Sequence, residues 1–251
     1  MTIQTKNKNH ATKERILTAA KQEFAQFGFD GARMGSIAKR ADANQALLHY
    51  YFDSKEKLYD EIIQHYFAVD DEKLIRDAVS MWSLTREQEL YMGIYLLVRF
   101  PLGALGQELS KILTREVAEG REHLEKILAE YILPKLISFQ EVIKSGIEEG
   151  IFETKNSFLV VMQLLIFVIS YGNLKSISLK DETQRHLFNL LFGDISDEDI
   201  FDFLLEHTFK GLTPVGKVVT IPDFPKNNLE SLDKLIFDIG KLRAETLSKD
   251  L

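Results

Sequence analysis

Cysteine is absent from all 251 residues. That excludes disulfides, thiolate catalysis and cysteine-ligated zinc. The six histidines (His10, His49, His65, His123, His186, His207) show no H-x-x-x-H spacing, so no local metal site is expected. No G-x-S-x-G nucleophile motif occurs, and no acidic pair is placed as an acid/base couple. The chain is therefore not expected to be an enzyme or to need a cofactor. Long apolar runs are also missing. The most apolar stretch, 158–169, falls short of the roughly 20 residues a bilayer demands. Residues 1–10 are polar and lysine-bearing, unlike a secretory signal. No membrane contact is expected, and a cytoplasmic location follows. Proline is scarce, five in all: Pro101 should end a helix, Pro134 should kink or divide one, and Pro214, Pro222 and Pro225 punctuate the tail.

Hydrophobic residues make up 45% of the chain and charged ones 27%, enough of each for a soluble domain with a buried core. The net charge of -7 argues against nucleic acid until it is divided. Residues 1–57 hold 10 of the 31 Lys and Arg and 6 of the 38 Asp and Glu, a net of +4, which leaves -11 on the rest. A basic head on an acidic body draws phosphates to one end only.

The head reads as helices joined by short turns. Thr12 is placed to cap a first helix that Gly28 stops, with Ile16, Leu17, Ala20, Phe24 and Phe27 on one face. Residues 1–11 ahead of it read as a disordered arm. A second helix, 34–41, turns Ile37, Ala38 and Ala41 inward, and Asp42 falls where the turn needs a left-handed residue. Asn44 then caps a third helix, 45–52. Leu48 and Phe52 are spaced to face the core, while Gln45, Ala46, His49 and Tyr50 take the other side. Gln can grip adenine by two hydrogen bonds, Ala can touch a thymine methyl, and His and Tyr can bond base edges or phosphates. Asp53 and Glu56 have capping-box spacing at the start of a fourth helix, whose Lys55 can meet a phosphate. Two short helices about a tight turn form a helix-turn-helix, whose second helix suits a DNA major groove.

These residues resemble the N-terminal domain of the TetR family of bacterial transcriptional regulators. The likeness rests on Arg15 to Ala20, Phe24, Phe27-Gly28-Phe29, Ile37-Ala38, Ala41, Leu48 to Phe52 and Ser54 to Leu58. It implies base contacts at Gln45, Ala46 and His49, phosphate contacts at Arg33, Tyr50, Tyr51 and Lys55, and Asn44 at the head of the reading helix. Asp42, Leu47 and His49 depart from the family's common Gly, Thr and Tyr. The resemblance also implies a homodimer on a palindromic operator, with the interface on helices near 156–174 and 197–210. It implies a small, largely apolar effector in the body. Aromatic and charged candidates for that pocket are Tyr91, Tyr95, Arg99, Phe100, His123, Phe167 and Tyr171.

The expected architecture is all-α. An N-terminal three-helix helix-turn-helix DNA-binding domain (1–57) precedes a larger helical ligand-binding and dimerisation domain (58–212). A C-terminal extension (213–251) follows, with a short extended piece at 217–221 and an amphipathic helix at 229–247. Gly211 to Lys217 has phosphate-loop spacing, but Val218 stands where magnesium needs a hydroxyl, and the strand–loop–helix context is missing. The function expected is that of a TetR-like repressor released from DNA by its effector. The alternative is a helical dimer that acts without a ligand as a protein-interaction scaffold.

Overall fold

The computed structural model describes residues 3–67, 80–102, 106–119, 122–178, 182–193 and 195–235. Among the described residues every regular element is a helix. In chain order they are α1 (Ile3–Gly31), α2 (Met34–Arg40), α3 (Gln45–Phe52), α4 (Lys55–Phe67), α5 (Arg86–Leu102), α6 (Gly106–Glu119) and α7 (Glu122–Ile127). A π-helical turn (Leu128–Ile132) leads into α8 (Leu133–Glu148), followed by α9 (Ser157–Ser178), α10 (Glu182–Phe192) and α11 (Asp197–Leu212). A last helix, α12, covers 226–235. The described residues form two compact units. One comprises 3–67, 111–119, 122–127 and 226–235; the other comprises 80–102, 106–110, 128–178, 182–193 and 195–225.

The first unit is built on α1, α2 and α4. Ile16, Ala20 and Phe24 are fully buried, as their helical spacing requires, and so are Ile37, Leu48, Leu58 and Ile62. α1 spans Ile3–Gly31, so Thr12 lies inside it, and residues 3–11 are helical where a disordered arm was expected. Gly28 does break the helix, with φ 70 and ψ 179, a conformation with little cost only for glycine. That break decides which phenylalanine is core. Phe27 is 45% exposed, against expectation, while Phe29 swings inward beside Phe24 and Tyr59.

In the second unit the core joins Leu90, Ile94 and Val98 of α5 to Leu136 and Ile143 of α8. It continues with Val161, Leu164, Val168 and Tyr171 of α9 and Ile200, Leu204, Leu205 and Phe209 of α11. Gly93 lets α5 and α8 pack closely: a Cβ there would stand 2.4 Å from the Phe139 ring. Pro134 sits in the first turn of α8, just after the π turn, and so divides the long helix at a point where its missing N–H costs nothing. Pro101 does not end α5, which runs to Leu102.

α9 is a correction to the sequence reading. The stretch Ser157–Lys175 is 19 residues long and apolar enough to cross a membrane by length and composition, although 158–169 alone is too short. Its Val161, Leu164, Val168 and Tyr171 are instead part of the unit's core. Asn156 launches it, accepting from the Leu159 N–H at 3.1 Å. In the tail, Lys217 is a bend and 218–221 carry no regular structure, so the expected extended piece forms no strand. Phe224 buries itself by stacking on Tyr91 at 5.0 Å. In α12 Leu232 is buried; Ile236, Ile239 and Leu242 lie outside the described residues.

Candidate nucleic-acid interface

The interface is built outward from the turn between α2 and α3. Ala41 closes α2, and Asp42 takes φ 50, the left-handed conformation its short polar side chain tolerates. Asn44 stands in extended backbone and accepts the Leu47 N–H on Oδ1 at 2.7 Å, which fixes the start of α3. Leu48 and Phe52 are buried, at 0% and 2% exposure, and orient the helix. Gln45, Ala46, His49 and Tyr50 are thereby left in solvent, with Tyr50 75% exposed. A large aromatic so far out gains nothing from its own core. Tyr51 is half-buried and packs edge-on against Tyr50 at 5.3 Å; burial, and secondarily Tyr50, push its phenol above the ordinary value. Arg33 is exposed at the cap of α2.

Lys55 and Asp53 differ from expectation. The Lys55 ammonium lies 4.6 Å from the centre of the Phe29 ring and donates to the carbonyls of Asp30 (3.5 Å) and Ala32 (3.4 Å). It secures the end of α1 to the start of α4. Ser54, not Asp53, caps α4, its hydroxyl accepting the Lys57 N–H at 3.2 Å. Asp53 ends α3 with φ 61 and pairs with Lys57 at 2.7 Å. The hydrogen bond from Lys57 holds the Asp53 carboxyl below its usual range.

Other polar contacts tie the helices of this unit together and were not anticipated. Glu23 is 2% exposed and takes Arg40 of α2 at 3.3 Å, tying α1 to α2. Its place on the apolar stripe of α1, seven residues after Ile16, was the available signal. Arg15 donates to the Asp42 carbonyl at 3.4 Å. The buried Tyr59 hydroxyl donates to Glu116 at 2.8 Å, and its ring meets Phe24, Phe29 and His123.

The chain matches the sequence profile of the bacterial regulatory proteins of the tetR family over residues 16–62, the whole of this helix-turn-helix and most of α4. The head of this chain is thus similar to the DNA-binding head of the TetR family. Relatives within and beyond the TetR head agree. It is 25% identical over 136 residues to YttP, a probable HTH-type transcriptional regulator of Bacillus subtilis, covering 54% of this chain and 65% of YttP. It is 40% identical over 57 residues to NicS, an HTH-type transcriptional repressor of Pseudomonas putida, covering 23% of this chain and 27% of NicS. The chain thus spans less than two thirds of each. A crystal structure of a mutant of HlyIIR, a hemolysin II transcriptional regulator, superposes with a TM-score of 0.62 at 20% identity, over 84% of this chain and 100% of that one. That likeness shows a shared fold beyond the matched head. These relatives are regulators of transcription rather than enzymes.

The residues named for a pocket in the TetR-like body do not converge. Tyr91 and Tyr95 share Phe201 as an edge-on neighbour at 5.3 and 5.5 Å, and the Arg99 guanidinium lies 5.6 Å from the Tyr95 ring centre. Burial, then Asp202 and Asp223, push the Tyr91 phenol up. Tyr171 packs on Phe188 and donates to the Ile195 carbonyl at 3.2 Å. His123 belongs to the first unit. The Phe100 side chain lies outside the described residues. Phe167 instead lines an open groove of about 320 Å³ between α9 and α11, with Gln163, Phe203, His207 and Thr208 among its walls.

Proposed function

We propose that this protein is a DNA-binding repressor that reads an operator with α3. The observation that carries the reading is the division of α3 into a buried Leu48–Phe52 side and an exposed Gln45–Ala46–His49–Tyr50 side behind a capped turn. Gln45, Ala46 and His49 contact base edges; Arg33, Tyr50 and Tyr51 contact phosphates, with Asn44 setting the helix start. Lys55 contributes by holding α4 to the end of α1, and a phosphate contact from it requires release from those carbonyls. Repression is the activity named for the relative NicS.

The partner is a second copy of this chain. Along α9, Leu159 is 61% exposed, Ile166 57% and Phe167 37%, and on α11 Phe203 is 53% exposed. So much apolar surface on neighbouring helices suits a two-fold helical seam, and two heads suit a palindromic operator. A small, largely apolar effector, acting near Tyr91, Tyr95 and Arg99, releases the operator by binding the free state more tightly than the bound one. The site of action is the cytoplasm.

Fluorescence anisotropy on duplex DNA from upstream of its own gene, at several salt concentrations, tests the reading. Tight binding with a steep salt slope is expected. Arg33→Ala should lower that slope by about 1 and weaken all sequences alike, whereas Gln45→Ala should erase discrimination at one base pair. Weak binding, indifferent to sequence in a random pool as well, would sink the proposal.

A further inference from the structure

His49 differs from its neighbours on the exposed side of α3 in having its proton placed for it. Its Nδ1 lies 2.8 Å from the backbone carbonyl oxygen of Asp53. A carbonyl oxygen only accepts, so Nδ1 carries the hydrogen and donates it. In the neutral ring the other nitrogen, Nε2, is then a bare acceptor. The arrangement follows from the end of the helix. Asp53 adopts φ 61 and ψ -59, leaving the helical path, and its own N–H donates to the His49 carbonyl at 2.9 Å. Residues 49 and 53 are therefore joined by two bonds, which orient the ring as well as fix its tautomer. The Asp53 carboxylate does not compete for the imidazole hydrogen, because Lys57 engages it at 2.7 Å.

We propose that His49 is a specificity-determining residue that reads as an acceptor only. Its Nε2 takes a hydrogen from the exocyclic amine of cytosine (N4) or adenine (N6) on the strand it faces. Guanine O6 and N7 and thymine O4 are acceptors themselves and would meet a lone pair with a lone pair. This inference rests on the proposed reading of DNA by α3. Gln45 and Tyr50 both donate and accept, so neither imposes this rule.

The test is selection from a random duplex pool by the full chain at mildly alkaline pH. Wild type is run beside His49→Lys and His49→Ala. His49 is exposed, so neither change should disturb folding. One position in each half-site should hold cytosine or adenine for wild type and turn to guanine for His49→Lys, since lysine only donates. His49→Ala should leave that position open. By anisotropy, wild type should favour cytosine over guanine there by about tenfold, and His49→Lys should reverse the order. A base preference that His49→Lys leaves unchanged, or no position answering to His49, would overturn this inference while leaving DNA reading intact. No enrichment of any sequence would overturn both.

Discussion

Among the described helices, α3 and α9 both turn large side chains to solvent, and they do so with opposite chemistry. α3 exposes Gln45, His49 and Tyr50, each an apolar or planar body with a hydrogen-bonding tip. α9 exposes Leu159, Ile166 and Phe167, which have no such tip. Both are buried along one side, and both begin at an asparagine whose Oδ1 takes an N–H three residues on. Exposure alone therefore names no partner. A polar aromatic face offers directional bonds and remains comfortable in water until a ligand arrives. An aliphatic face has only its hydration to lose, and what suits it is another apolar face.

The comparison can be broken most forcefully on the apolar side. Phe203→Asp places a charge beside Phe167 and His207, and two-fold symmetry would count it twice. At about 2 kcal/mol per aromatic contact, the dimer should weaken by roughly a thousandfold, as read by analytical ultracentrifugation. If the wild-type and variant chains sediment alike, α9 and α11 do not form the seam. On the polar side, Gln45→Ala should reduce operator discrimination by about 1–3 kcal/mol while leaving assembly and melting unchanged. A parallel loss of thermal stability would mean that Gln45 supports the fold rather than reads DNA.

The caps sharpen the contrast by smaller amounts. Asn44→Ala removes the 2.7 Å bond to Leu47 and should cost about 1 kcal/mol in urea unfolding, with weaker DNA binding as α3 frays. The smallest effect lies at the start of α11, where Ser196 and Asp199 form a reciprocal capping box. The Ser196 hydroxyl, then its backbone N–H, hold the Asp199 carboxyl below the ordinary range. The folded chain thus binds that proton more weakly than the unfolded chain does. Its stabilising contribution is complete above the usual carboxylate value of about 4 and is lost as pH falls through the lower folded value. Asp199→Asn should flatten that part of the acid limb of a melting-temperature profile. An unchanged acid limb would show that the box carries no pH dependence.

Much of the head was legible because it obeys local rules. Asp42 in the left-handed turn, Asn44 as a cap, Gly28 as a stop, and Leu48 with Phe52 as the inward pair all depend on residues within one or two turns. Helical spacing likewise accounts for Leu90 with Ile94 and Leu136 with Ile143 in the core of the second unit. What failed in the sequence reading failed through direction or distance. A helix wheel cannot say that the chain bends at Gly28 and so exposes Phe27 while burying Phe29. Nor does spacing separate Ser54 from Asp53 as the cap, since that turns on which residue adopts φ 61.

By itself, the sequence determined the all-helical class, the helix-turn-helix and the division of α3 into two sides, because helix periodicity and capping act over a few residues. Tertiary structure alone decided the partners of long, mobile side chains. Lys55 reaches back to carbonyls 23 and 25 residues away, Glu23 finds Arg40, and Tyr59 finds Glu116 across 57 residues. It also scattered the aromatics once grouped as a pocket: Tyr91 and Tyr95 gather at Phe201, while Phe167 faces the open groove. The reason is physical: a periodic pattern says which side of a helix is apolar, but only packing says what that side meets.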